Sequence, residues 1–176
     1  MKPLKQVGQS YQALAEGDRF LLESRFEEAL ASFQRAMEVT RTIPAEEAFD
    51  HAGFDAIAQT GRSEALVGLG RFQDALASID VAQHYFNRRG ELNQEEGVKW
   101  IEVVCSKAVA LEGVGRTADA LGAAKMAAEM IGERKAEYRD RASRLASLSD
   151  QIARLESKQE PATRRAGYKA WWEFWA

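Results

Sequence analysis

Cysteine, proline and long apolar runs are scarce in this sequence. Its single cysteine, Cys105, cannot form an internal disulfide, and its apolar neighbours favour a place in the core. No segment is apolar enough to span a membrane or to act as a signal peptide, so we expect a cytoplasmic protein. The net charge of −3 is too mild for a broad electrostatic interaction with nucleic acid.

The scarcity of proline also indicates the fold class. Prolines occur only at positions 3, 44 and 161, and the long blocks between them are rich in Ala, Leu, Glu, Arg and Gln, which favour helices. The alternation of β-branched residues that is typical of strands is absent. The sequence therefore predicts an all-α fold, and 176 residues are enough for one domain with a core of its own.

Three segments repeat one pattern of small and large residues. They are "GDRFLLESRFEEALASFQRAMEV" from Gly17, "SEALVGLGRFQDALASIDVAQHY" from Ser63 and "AVALEGVGRTADALGAAKMAAEM" from Ala108. In each, a large apolar residue follows three positions later, and an alanine follows twelve positions later, after a short turn. Two antiparallel helices pack closely where small residues of one face large apolar residues of the other.

This pattern resembles the tetratricopeptide repeat over about residues 8 to 135. The resemblance implies a superhelix of three stacked helix hairpins that binds a protein or peptide and has no catalytic activity. It also implies a concave face on the first helices of the hairpins. The positions that hold Lys, Arg and Asn in relatives that bind a terminal carboxylate are here Leu14, Asp18, Thr60, Glu64, Cys105 and Val109. An acidic and apolar groove of this kind favours a basic or aromatic segment instead.

The repeats are spaced more widely than usual. Ala29 and Ala75 are 46 residues apart, and Ala75 and Ala120 are 45 apart, whereas about 34 is usual. The excess is close to three helical turns and lies between the hairpins. With Pro44 in a first turn and Asn93 as an N-cap, we expect long first helices at roughly residues 45 to 69 and 93 to 114.

A further helix is predicted after the third repeat. Its apolar residues recur at three- and four-residue steps, so we expect residues 135 to 158 to cap the stack, with a coiled-coil dimerisation helix as the alternative. Pro161 is expected to end this helix. The predicted organisation is a repeat domain with its cap at 1–158, followed by a linker and an aromatic C-terminal tail at 159–176.

A second, narrower resemblance also includes the inserts, which are the segments between the hairpins that hold the excess residues. The phrases "MKPLKQV", "EEAFDHAGFDA" and "HYFNRRGELNQEEGVKW" are similar to a small bacterial family of tetratricopeptide-like proteins of unassigned function. This similarity covers about residues 1 to 135 and implies no particular activity.

The insert "EEAFDHAGFD" contains the residues most suggestive of chemistry. Glu47, His51 and Asp55 are four residues apart on one helical face and could contribute to a divalent metal site. Their span of about 12 Å along the axis is too long to surround one ion without a second helix. General acid–base chemistry by His51 with Asp50 or Asp55 is the other alternative. No nucleophile motif or phosphate-binding loop accompanies them, so we predict no enzyme activity and no cofactor.

Aromatic residues are the better indication of function. Phe54 and Trp100 lie upstream of their repeat signatures, near Phe49, and they either pack the inserts or line a groove for an aromatic ligand. We therefore predict a protein-binding site that draws on the repeat helices and on the last residues of the sequence. Its candidate residues are Phe49, Asp50, His51, Phe54, Glu64, Trp100, Tyr168, Trp171, Trp172 and Trp175.

The closing "YKAWWEFWA" supplies a candidate ligand. If helical, its Tyr168, Trp171, Trp172 and Trp175 form one stripe, beside the basic residues Arg164, Arg165 and Lys169. An aromatic stripe with basic flanks is typical of a helix that binds in a groove. Three interpretations of the tail remain. It docks in its own groove or in that of a neighbouring subunit, and the latter would make a homo-oligomer. Alternatively, it binds a different protein, or it makes weak contact with a membrane surface.

Overall fold

Seven α-helices make up the described part of the chain. The computed structural model describes residues 4–89, 92 and 94–167, and it contains no strand within these ranges. The helices are α1 (Leu4–Leu22), α2 (Phe26–Thr40), α3 (His51–Gly68), α4 (Phe72–Arg89), α5 (Glu95–Gly113), α6 (Thr117–Glu133) and α7 (Arg141–Gly167). The predicted all-α class and the stacked hairpins of a tetratricopeptide-like fold are confirmed.

The helices stack as hairpins with one curved face. Pairs α1–α2, α3–α4 and α5–α6 form the hairpins; α2–α3, α4–α5 and α6–α7 join one to the next. The first helices also contact one another, as α1–α3 and α3–α5, whereas α2, α4 and α6 make no such contacts within the described ranges. The stack therefore curves with its first helices on the inside, and this concave face is where a groove forms.

The three hairpin turns are built alike. Two residues after the end of each first helix, the turn contains a residue with positive φ, namely Ser24 (57°), Gly70 (71°) and Gly115 (79°). The next N–H donates to a carbonyl five residues earlier, as in the Schellman motif, over 2.8–2.9 Å. The residue that donates is an arginine, and its side chain bonds the acidic residue three positions later. These ion pairs are Arg25–Glu28, Arg71–Asp74 and Arg116–Asp119.

Small residues allow the helices to approach, as the repeat pattern predicts. The repeat alanines Ala29, Ala75 and Ala120 are fully buried. Phe33 lies against both Gly17 and Gly61, and a Cβ on Gly17 would be only 2.6 Å from its ring. The first two hairpins therefore interlock through one aromatic ring that accepts no larger neighbour on either side.

The prediction that α3 starts near residue 45 is wrong. Residues 41–50 form turns and bends, and α3 begins at His51. Asp50 is its N-cap and accepts a 2.9 Å hydrogen bond from the Gly53 N–H. A carboxylate cap satisfies a free helix donor, which Pro44 cannot do, so the helix starts at the cap. The insert lengthens the connection: α3 has 18 residues and α1 has 19. By contrast, α5 starts at Glu95, close to the predicted residue 93. The predicted N-cap is wrong by one residue: Gln94 is the N-cap, and Asn93 lies outside the described residues.

The last helix also differs from its prediction at both ends. It starts at Arg141 rather than 135, because residues 134–140 reverse the chain and bury Tyr138 and Arg134. Arg134 donates to the carbonyls of Leu92 and Gln94, which ties this turn to the start of α5. The helix continues past Pro161 to Gly167, so the predicted linker is helical in this part. A proline removes one backbone hydrogen bond, and the remaining bonds continue the helix.

Candidate functional site

A cavity of about 260 Å³ opens on the concave face where three first helices converge. Its walls come from the last turns of α1 and α3, the first turns of α5, and the turn into α7. The side chains that set its chemistry are Asp18, Glu64, Lys99, Glu102, Tyr138 and Arg144. Asp18 and Glu64 occupy the same repeat position, directly after the small residues Gly17 and Ser63, and the repeat therefore places two carboxyls side by side.

Lys99 is paired with two of the acidic residues. Its Nζ lies 3.0 Å from Glu102 Oε2 and 4.0 Å from Asp18 Oδ1. Burial tends to lower the pKa of Lys99, but the charges of Glu102 and Asp18 outweigh it and raise the pKa. Lys99 is therefore a fixed cation that links α5 to α1.

Glu64 is in a different position. It is half-buried, and it makes no ion pair or hydrogen bond within the ranges that the structure describes. Burial raises the pKa of Glu64 to about 7, helped by the negative charge of Glu102 and opposed by Lys99 and Arg144. Burial also raises the pKa of Asp18. The groove thus contains more acidic groups than its neighbouring cations neutralise.

Tyr138 contributes a second unsatisfied group. Only 7% of the residue is exposed, and its hydroxyl is buried without a hydrogen-bond partner among the described residues. Burial raises the pKa of Tyr138 to about 12, so the hydroxyl keeps its proton. Nearby, burial raises the pKa of the Cys105 thiol to about 11, which leaves it protonated and unreactive.

Five of the six predicted site residues that the structure describes lie outside the cavity. Phe49 packs against His51 and Phe54, with ring centroids 4.9 and 5.7 Å apart, and Phe54 is only 3% exposed. Asp50 caps α3 and accepts a 2.9 Å hydrogen bond from the Tyr85 hydroxyl. These four residues form a packed cluster at the opposite end of α3 from the cavity.

The remaining candidates divide three ways. Glu64 lies in the cavity, whereas Trp100 is half-buried against the core between the second and third hairpins. Tyr168, Trp171, Trp172 and Trp175 lie outside the described residues. The metal alternative at Glu47, His51 and Asp55 finds no support, since the described residues bring no three His, Cys, Asp or Glu side chains together in a way that could hold an ion.

Of the six side chains that set the chemistry of the cavity, four are missing from the sequence prediction. Lys99 and Glu102 have a visible signal, because an i, i+3 pair of opposite charge in the insert "GVKWIEVV" marks one face of a helix. Tyr138 and Arg144 have none. They reach the cavity only because the turn at 134–140 folds back against α5.

Interactions of one glutamate hold α7 alongside α5. Glu112 accepts hydrogen bonds from Gln151 (3.1 Å), from Arg154 (2.9 Å between Nη2 and Oε2) and from Lys158 (3.0 Å). The hydrogen bond from Arg154, with those from Lys158 and Gln151, lowers the pKa of Glu112 to about 2. Arg144, near the start of α7, lies at the cavity, and Arg154 contacts Glu112 near the C-terminal end of α5. Helix α7 therefore runs parallel to α5, and its C-terminal end lies away from the cavity.

Comparison with known proteins places this architecture in a family. A family model described as Domain of Unknown Function (DUF3856) matches residues 2–144. The crystal structure of a TPR-like protein from Chlorobium tepidum is similar, with a TM-score of 0.85 and 51% identity, over 89% of this chain and 99% of that one. No curated protein matches the sequence. None of the helices in the described ranges is both long and apolar enough to cross a bilayer.

Proposed function

This chain belongs to the family described as Domain of Unknown Function (DUF3856), and we propose that it is a non-catalytic interaction module whose concave groove binds a segment of a protein. TPR-like folds generally mediate protein–protein interaction, which supports the proposal at the level of the fold. The observation that carries it is Tyr138, which lines the cavity and whose buried hydroxyl has no hydrogen-bond partner among the described residues. An unsatisfied buried hydroxyl destabilises the free protein and is satisfied when a ligand supplies a polar group.

The charges of the groove favour a basic or aromatic segment over a free carboxylate. Lys99 is already paired with Glu102 and Asp18, and Arg139 lies 3.5 Å from Asp140. A terminal carboxylate would therefore meet an acidic surface with few available cations. The aromatic tail at 168–176, with its basic flank, has the complementary chemistry.

The length of α7 bears on whose groove the tail enters. From Arg144 at the cavity to Gly167, the helix rises about 35 Å at 1.5 Å per residue. Trp171 can lie at most about 14 Å beyond Gly167, and Trp175 at most about 29 Å, even with the chain fully extended. The four residues form one stripe only if they are helical, and a helix that rises 1.5 Å per residue carries them a much shorter distance than this, so the stripe falls short of its own cavity while α7 stays helical. We therefore propose a neighbouring subunit's groove as the receptor.

Photo-crosslinking in the full chain tests this function. With Trp172→p-benzoylphenylalanine, we expect cross-links to residues 18–22 or 98–102, and in a mixture of ¹⁵N-labelled and unlabelled chains these should join two different copies. The same photoreactive residue at the exposed Gln34 of α2 is the control and should not reach the groove. Cross-links that never map to the groove would contradict the proposal.

The membrane interpretation of the tail makes a separate prediction. Tryptophan emission would shift to shorter wavelength with vesicles of phosphatidylcholine and phosphatidylserine, because interfacial tryptophans leave water. An unchanged spectrum together with groove cross-links would favour the protein-binding function.

A further inference from the structure

We propose that the cavity beside Glu64 is a recognition pocket for one basic side chain, arginine or lysine, of the bound segment. This inference rests on the proposed function and names the chemistry of the residue that enters the groove. The description of the matching family assigns no such pocket.

The arrangement of charges is the first argument. Three helices each bring one carboxyl to the cavity: Asp18 from α1, Glu64 from α3 and Glu102 from α5. Lys99 pairs with the first and the last, and Glu64 is left without an ion pair among the described residues. Apart from the Arg139–Asp140 pair, the cavity holds two cations, Lys99 and Arg144, against these three carboxyls. Burial of a charge without a paired partner is costly, so the site is one positive charge short.

The buried hydroxyl is the second, independent argument. Tyr138 is more than nine-tenths buried, lines the same cavity, and its hydroxyl has no hydrogen-bond partner in the described part of the chain. Its oxygen can accept a hydrogen bond from an N–H group. A guanidinium has five N–H donors in a fixed plane, and an ammonium has three. Either group has enough donors to form hydrogen bonds with both the Glu64 carboxylate and the Tyr138 oxygen.

The cavity also has the size and walls for such a side chain. A volume of about 260 Å³ is several times the roughly 30 Å³ that one water occupies. Leu21 and Val98 line it beside the charged groups. They give the methylene stem of a lysine or arginine an apolar contact while its charged end reaches the carboxyls.

Arg144 is the internal competitor for this position. It lies at the cavity rim with its Cζ 5.9 Å from the centre of the Tyr138 ring, and its charge acts on Glu64 without forming an ion pair. Arg144 is exposed. If Arg144 itself occupied the pocket in solution, no external cation would be bound, and the experiment below separates the two cases.

Binding should depend on pH because of the groups that face Glu64. These are Asp18 from α1, Lys99, Glu102 and Cys105 from α5, Tyr138 from the turn, and Arg144 from α7. With a pKa of about 7, Glu64 is largely protonated below pH 6 and ionised above pH 8. A bound cation requires the ionised form, so affinity should rise as pH increases through 7 and then level off.

The test uses the full chain and the blocked amino acid N-acetyl-arginine N-methylamide, followed by NMR. Its matched control is the citrulline analogue, which has nearly the same shape and no charge. We expect the arginine probe to shift resonances of the groove residues at pH 8, with at least tenfold weaker binding at pH 5.5 and for citrulline. The variant with Trp171, Trp172 and Trp175 all changed to Ala removes competition from the tail.

Variants complete the experiment. Glu64→Gln should weaken binding at least tenfold and abolish its pH dependence, Tyr138→Phe should weaken it severalfold, and Asp119→Asn on the outer surface should leave it unchanged. Equal binding of arginine and citrulline, or an unchanged affinity in Glu64→Gln, would overturn the proposal. So would binding that appears only in Arg144→Gln, since Arg144 would then fill the pocket itself.

The two proposals fail separately. Cross-links from the tail to the groove without discrimination between arginine and citrulline would remove the basic-side-chain pocket and leave the interaction module intact. Absence of both would remove both.

Discussion

At the scale of single residues, two glutamates of this protein show opposite effects of their surroundings. Glu112 lies among cationic and amide donors, which favour its charged form, whereas Glu64 is half-buried beside other carboxyls, which favours its neutral form. The ionised carboxylate therefore stabilises the fold at Glu112 and destabilises it at Glu64. Groups with a pKa perturbed by burial are found more often at binding sites than at positions that only maintain the fold.

Glu112→Gln should destabilise the protein by about 1 kcal/mol at pH 7, since its partners Arg154 and Lys158 are half exposed and solvent screens part of the interaction. The folded-state pKa of about 2 lies below the ordinary glutamate value, so this stabilisation is present at neutral pH and is lost as pH falls from about 5 towards 2. Urea unfolding between pH 2 and 7 measures it. Glu129→Gln, an exposed control, should show little change; similar curves for both variants would contradict the role of Glu112.

Glu64→Gln should do the reverse. The folded-state pKa of about 7 lies above the ordinary value, so ionisation of Glu64 destabilises the fold increasingly as pH rises from about 4.5 through 7. The variant should match the wild type near pH 4 and exceed it at pH 8 by on the order of 1–2 kcal/mol. Thermal unfolding across this range provides the measurement, and a variant less stable than the wild type at pH 8 would contradict an unpaired Glu64.

At the scale of elements, the local sequence pattern predicts the hairpins, but it does not predict where the helices begin and end in the inserts. The spacing from the first small residue to the repeat alanine predicts each hairpin, because the residues of the pattern lie close together in the chain. In the first insert, Pro44 and the cap at Asp50 both offer a helix start, and only the completed packing selects Asp50, which also accepts from Tyr85 on α4. The end of α7 is similar: Pro161 predicts a break, yet the helix continues.

Ser24→Gly should stabilise the first hairpin turn. Ser24 has a φ of 57°, in the left-handed region that glycine adopts without strain, and the equivalent positions hold Gly70 and Gly115. We expect a gain of about 0.5–1 kcal/mol after the greater freedom of glycine in the unfolded chain is included. The matched reverse change, Gly70→Ser, should lose a similar amount. Chemical unfolding of both variants checks the pair, and changes of the same sign would refute this account of the turns.

At the scale of the whole molecule, α7 is both a cap and a spacer. It covers α6 as the predicted capping helix does, and through Glu112 it is fixed along α5 so that its far end points away from the groove. A tail that reaches a neighbour's groove from there either is exchanged between two copies, which gives a closed dimer, or makes a head-to-tail contact, which gives a ring or an open chain of subunits. Under the proposed function, this arrangement predicts association between copies rather than self-docking.

Removal of residues 168–176 should therefore reduce the mass in solution to that of a monomer. Light scattering at several concentrations is the measurement, with hydrogen exchange at residues 18–22 and 98–102 as a second reading, because amides covered by a neighbour's tail should exchange faster once it is gone. A version with Phe174→Ala alone, which leaves the predicted stripe intact, is the control. An unchanged mass with unchanged exchange would rule out tail-mediated association.

The sequence by itself determined the all-α class and the three hairpins, since each depends on residues close in the chain and on a repeated spacing. The resemblance to the tetratricopeptide repeat implied the concave position of Asp18 and Glu64. Only the tertiary structure decided where α3 starts, that Phe54 is buried in the core, and that Lys99, Glu102, Tyr138 and Arg144 meet Glu64 in one cavity. The physical reason is distance along the chain. Asp18 and Arg144 are brought together by the curvature of the whole stack, a property of all six interfaces between successive helices that no local pattern encodes.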